Sequence, residues 1–228
     1  MILKREELQW VTGRMKIYDI KYQEIFNEIF DHILTAIEVK RAAGDTRSID
    51  IVFQHVVDEH FDGYRGIEEL AKQHEKIYKK RIGKSFKSIV AGYFSWPFLI
   101  FTVIALVLSF QLPDVKLVHK AFYAAIFLLA FSPLVYTFIV VSKRIKVNSG
   151  YKSLLRAHLI SYTFLPGMML NSMLYLPGLL MTVKDKDDKF YAIKYMHVPA
   201  LMLVLIFFVL ANLSCIRLCD QMLDKETV

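Results

Sequence analysis

The residues best spaced for a specific chemistry form an acidic stripe. Glu24, Glu28, Asp31, Thr35 and Glu38 recur every three or four positions. At 100° per residue they fall on one side of a helix. Four carboxylates in a row suit electrostatic capture of a basic protein surface. A solvated helix face is the ordinary alternative, because charge stripes cost little. Glu24, Glu28, Asp31 and Glu38 are therefore the candidate partner-docking residues. A second group, His32, His60 and His74, falls on or beside apolar helical faces. Imidazoles there read as a polar, pH-responsive part of a core. His55, Asp58, Glu59 and Asp62 supply further metal-ligating types nearby, but neither HExxH nor paired ExxH spacing occurs. No metal site and no cofactor are expected.

The third group lies in an apolar stretch. Leu165-Pro166-Gly167 and Leu176-Pro177-Gly178 stand eleven residues apart, with Asn171 between them. Proline removes a backbone bond and kinks a helix, and glycine admits a close neighbour. A broken helix of this kind can line a transport path. Without a charged ligand nearby, plain kinked packing is the simpler reading. His119, His158 and His197 stand near the ends of apolar segments, where a facing pair could ligate haem but an interfacial position suffices. Cys215 and Cys219 share a helical face, where a disulfide would be strained, and they read as small apolar residues. There is no nucleophile elbow, P-loop, GxGxxG or CxxC motif. Nothing in the pattern supports an enzyme.

The elements that carry these groups follow from how charge is distributed. The chain has 228 residues, 55% of them hydrophobic, and a formal net charge of +7. Residues 1–88 carry 16 Lys/Arg and 15 Asp/Glu, whereas residues 89–228 carry 13 and 7. A basic excess placed beside long apolar runs marks membrane orientation and contact with membrane lipids, not nucleic-acid binding. Four segments are long enough to span a bilayer, which takes about 20 apolar residues: roughly 89–112, 121–141, 157–183 and 196–218. Lys79, Lys80, Arg81, Lys84 and Lys87 precede the first, and Lys143, Arg144, Lys146, Lys152 and Arg156 separate the second from the third. Those connections are placed inside, with both termini in the cytoplasm and the chain multi-pass in the inner (plasma) membrane. Lys184, Lys186, Lys189 and Lys194 in the last loop count against this orientation.

Residues 1–87 read as a cytoplasmic all-helical domain. A short helix over Leu3–Val11 is expected to end at Gly13. A long one from Ile20 to Ala43 would be capped by Asp19 and ended by Gly44. A third would start at Ser48 or Asp50 and reach Tyr64, with Gly66 separating it from a fourth. Tyr22, Ile25, Phe26, Ile29, Phe30, Ile33, Leu34 and Ile37 form the buried face of the long helix, and Val52, Phe53, Val56 and Val57 that of the third. The fold class is all-α: an N-terminal helical domain (1–87) followed by a four-helix transmembrane bundle (88–228).

Within Lys16–Lys80, the run Glu28-Ile29-Phe30-Asp31-His32-Ile33, then Ile37-Glu38, a turn at Gly44, a helix with Phe53, Val56 and Phe61, and a glycine turn before Ile67 resembles HAAS-type signalling domains of bacterial membrane proteins, which accompany PadR-type regulators. The resemblance implies a membrane-anchored signalling or interaction module without catalysis. The expected function is a non-catalytic membrane regulator or adaptor that binds a protein partner or a second copy of itself. The alternative is a small transporter, or a transport-complex subunit, using the broken third span.

Overall fold

The computed structural model describes residues 3–148, 150–180 and 196–226, with the backbone alone for 176–180 and 225–226. Among these residues the regular elements are all helical, apart from one isolated parallel bridge between Tyr22 and Lys152. The chain divides into two compact units. One comprises Met1–Arg81 together with Lys146–Leu154. The other comprises Ile82–Ile145 and Leu155–Val228. The division falls at 81/82 instead of 87/88, and it moves a distant segment into the N-terminal unit.

That unit is built on α1 (Arg5–Met15), α2 (Gln23–Ala42), α3 (Ile49–Phe61) and the first part of α4 (Gly63–Tyr93). The period of α2 turns Ile25, Phe26, Ile29, Ile33 and Ile37 inward against Val52, Phe53, Val56, Val57, Ile67 and Leu154. Helix α1 runs through Gly13, because Val11 and Met15 on either side of it are both fully buried. Arg41 fastens the far end. It reaches Glu7 at 2.6 Å and donates to the carbonyls of Asp45 and Arg47. Gly44 closes α2 in the left-handed region (φ 89°), where a side chain would be strained.

Beyond α1, which was expected to stop at Gly13, two more boundaries differ from expectation. Helix α2 begins at Gln23 with Tyr22 as its N-cap, not at Ile20 with Asp19, because Tyr22 is held extended against Lys152. The turn between α3 and α4 is made by Asp62 (φ 53°) and Gly63 (φ 76°). Gly66 lies inside the first turns of α4 and does not separate helices. A Cβ there would sit 1.5 Å from the Phe61 carbonyl oxygen, so the glycine admits a close backbone approach.

The second unit contains the end of α4, α5 (Trp96–Ser109), α6 (Lys116–Tyr136), a π-helical turn (Thr137–Val141), α7 (Ser142–Arg144), α8 (Leu154–Thr163) from Leu155 onward, α9 (Leu165–Leu180) and α10 (Val198–Glu226). The π turn follows Pro133, whose missing N–H leaves the preceding ladder one bond short. The stretch Lys116–Arg144 and the helix Val198–Asp224 are each long and apolar enough to cross a membrane, and α4 with α5 forms a pair bent by 59° that qualifies together. Among the described residues two helices, or three if the bent pair is one span, are thus long and apolar enough to cross. The third expected span is two helices meeting at Phe164, and its end at 181–183 lies outside the described residues, as do Lys184, Lys186, Lys189 and Lys194.

Phe122, Ile126 and Ala130 of α6 pack on Leu170 of α9 and on Val198, Leu201 and Phe208 of α10. Asn212 on α10 donates to the Leu129 carbonyl at 3.1 Å and to Ser132. Ile100, Phe101, Val103, Ile104, Val107 and Leu108 of α5 are exposed in one continuous belt. An apolar surface of that extent belongs in lipid. Helix length, composition and this belt mark the chain as a membrane protein.

Candidate functional site

The stripe residues of α2 do not share one environment. Glu24 is half-buried. Its carboxylate accepts from Ser153 Oγ at 2.5 Å and from the Leu154 N–H at 3.0 Å. Leu154 is the first residue of α8, so Glu24 satisfies one of the orphan donors that open every helix. An anion at that end also meets the positive pole of the helix. Around it the Gln23 N–H donates to the Lys152 carbonyl and the Lys152 N–H to the Lys21 carbonyl, each at 3.0 Å. The Asn148 N–H donates to Gln23 Oε1 at 2.8 Å. Tyr151 lies against Phe26 with ring centroids 4.9 Å apart, and Leu154 is fully buried in the same core. The segment 148–154 is thus seated on the start of α2 by main-chain pairing, a carboxylate cap and two apolar anchors.

Further along, Glu28 and Asp31 are exposed and Glu38 is half-buried. Glu28 faces His74 Nδ1 at 3.1 Å. His74 is half-buried, whereas His32 and His60 are exposed. Neither of the latter is a core residue. His60 follows the inward positions of α3 by three and four, but it stands exposed one residue before the helix ends at Phe61. On the neighbouring rim Glu59 takes Lys40 at 2.6 Å and His55 at 3.1 Å, and the Lys40 ammonium holds its carboxyl below the usual range. A cleft of about 330 Å³ between Asp19–Tyr22 and α4 is lined by Ile25, Glu68, Ala71, Lys72 and Glu75. Burial there pushes the Tyr22 phenol up.

In the second unit Pro166 is buried, and a Cβ on Gly167 would lie 3.5 Å from the Phe131 ring. The pair therefore sits in an ordinary packing contact of α9 with α6. Asn171 is exposed. Pro177 and Gly178 lie within α9, where the backbone alone is described. The loop residue Asp114 gathers two of the terminal histidines. One carboxylate oxygen pairs with His119 Nε2 and the other with His197 Nδ1 at 3.4 Å. Those two contacts hold the Asp114 carboxyl below its ordinary value. Both imidazoles are thereby turned to a carboxylate. Among the described residues no group of three or more His, Cys, Asp or Glu is arranged to hold a metal ion.

The features that spacing did not reveal are the seat of segment 148–154 and the Asp114 bridge. Ser153 and Leu154 open an apolar helical period, so a helix start needing a cap is visible there. Which acid supplies the cap is not, because Glu24 is about 130 positions away. No family model, curated protein or solved structure matches this chain.

Proposed function

We propose that this chain is a non-catalytic integral membrane regulator or adaptor whose N-terminal helical domain binds a basic protein surface through α2. The observation that carries the reading is the division of labour along one helix. Glu24 grips the segment that opens α8, while Glu28 and Asp31, one and two turns on, stay exposed. A partner taken on the exposed acids is then one helix away from a segment leading into the membrane half. On this reading the chain crosses the inner membrane four times, with α4–α5 and α8–α9 as the bent first and third crossings, and both termini are cytoplasmic. The lysine and arginine placement supports that orientation, and the likeness to HAAS-type domains supports a signalling role without catalysis.

The test is site-specific photo-crosslinking at Thr35, an exposed stripe position, with the full chain in membranes of its own host. A discrete protein adduct is expected, lost on Glu28→Lys/Asp31→Lys while the protease resistance of the domain persists. An adduct unmoved by charge reversal, or none, overturns the docking role. A self-adduct lost in the same way makes the partner a second copy. The alternative, a small transporter or transport-complex subunit, draws on the helix break at Phe164 between α8 and α9. It stands second because Gly167 faces the Phe131 ring and Asn171 is exposed.

A further inference from the structure

Helix α4 carries seven Lys/Arg and one acid, Glu75, between Lys72 and Lys87, and no acid at all from Lys76 to Tyr93. Lys72, Lys76, Lys79, Lys80, Lys84 and Lys87 fall within an arc of roughly 140° at 100° per residue. They run about 22 Å along the axis at 1.5 Å per residue. All six are exposed, and among the described residues none has an ion-pair partner. The opposite side of the same helix is the inward one, carrying Ile67, His74, Tyr78 and Ile82. Glu69 is the one acid on the lysine face, at its far end.

We infer that this lysine face is a docking surface for an anionic lipid bilayer. Three observations select that occupant over a macromolecular polyanion. The stripe runs directly into an apolar helix, so a bilayer surface is at hand without any encounter. Phe94 and Trp96, 64% and 79% exposed, stand at the handover, and aromatic rings favour the headgroup level. A 59° bend separates α4 from the apolar α5, so the charged helix does not continue along the α5 axis. Juxtamembrane lysines of this kind gain from the negative surface potential of an anionic leaflet, each shifting the bound population about fivefold. The lysines thus serve beyond fixing orientation: the face responds to lipid charge and to salt. Only the choice of leaflet rests on the orientation proposed above.

The experiment places the full chain, with a fluorescent label on Gln73→Cys at the edge of the stripe, in nanodiscs holding a headgroup nitroxide lipid. One set of discs is neutral phosphatidylcholine and the other contains phosphatidylglycerol. The native Cys215 and Cys219 are buried, and the chain without Q73C reports the background. Both leaflets are alike in a nanodisc, so failure of the adaptor reading cannot produce failure here. At least twofold stronger quenching is expected with phosphatidylglycerol, fading in 0.5 M salt as screening shortens to a few ångströms (about 3 Å at 1 M). In K72Q/K76Q/K80Q it falls to the neutral-lipid level. That variant keeps Lys79, Arg81, Lys84 and Lys87 to hold topology. Equal quenching in the two lipids, or quenching that survives the triple substitution, overturns the inference.

Discussion

Replacing Glu24 by alanine is the sharpest perturbation of the seat on α2. It removes the acceptor of two hydrogen bonds to a charged group, from Ser153 Oγ and the Leu154 N–H. Such bonds each contribute about 1.5–3 kcal/mol net, and partial exposure of Glu24 places the pair at the low end. Ser153 is only 5% exposed, so its hydroxyl is left without ready access to water. The expected loss is about 2–3 kcal/mol of local stability, compared with about 1 kcal/mol for Glu24→Gln, which keeps one oxygen acceptor. A global melt would dilute this, because the segment opens on its own. Hydrogen exchange at the amides of Gln23, Lys152 and Leu154 reads it directly. Two to three kcal/mol corresponds to opening that is about 30- to 150-fold more frequent. Amides in the middle of α3 serve as the unchanged reference. A change below about threefold at all three amides would refute the reasoning, since the carboxylate would then not be what holds the segment down.

Three further outcomes follow from geometry elsewhere in the chain. Gly66→Ala drives a Cβ into the Phe61 carbonyl and should cost about 3 kcal/mol. Gly13→Ala, with open space around the new methyl, should instead gain about 0.5–1 kcal/mol; opposite shifts in thermal midpoint check both, and shifts of the same sign count against the close approach. Asp114 is a carboxyl whose folded value is depressed below 3.8 by His119 and His197. Its contribution is therefore complete above about pH 4 and lost as pH falls through the lower folded value. Proteolysis of the full chain in neutral lipid should show the Asp114 loop protected at pH 5, and Asp114→Asn should lose that protection.

How much of this was legible depends on how far apart in sequence the interacting residues are. The inward faces of α2 and α3 were readable because a 3.6-residue period is a local signal, and Ile29, Ile33, Ile37 and Val52 are fully buried as their spacing required. Gly44 was readable for the same reason. Gly66 and Asp62-Gly63 competed for one turn, and the Asp-Gly pair, a local turn signal that was passed over, makes it with both residues at positive φ. The acidic stripe was legible as a stripe, yet its members differ in environment. Glu24 meets a segment from beyond α6, whereas Asp31 is exposed. His60 kept the period of α3 yet lies exposed one residue before the helix stops. The apolar segments were plain from composition, but their breaks at Phe94–Ser95 and Phe164 depend on neighbours that hydropathy does not record.

The placement of Lys146–Leu154 within the N-terminal unit also sets an order of events at the ribosome. The first four helices are synthesised early, yet Phe26 lacks Tyr151 and the core lacks Leu154 until α5, α6 and α7 have emerged. The apolar helix Lys116–Arg144 is therefore committed to its final surroundings before the domain preceding it can close. Closure of the domain therefore waits on Lys146–Leu154, which belongs to the same compact unit as Met1–Arg81. A molecule in which segment 148–154 failed to reach α2 would keep an uncapped α8 and an open domain, exposed to the proteases that triage unfolded chains.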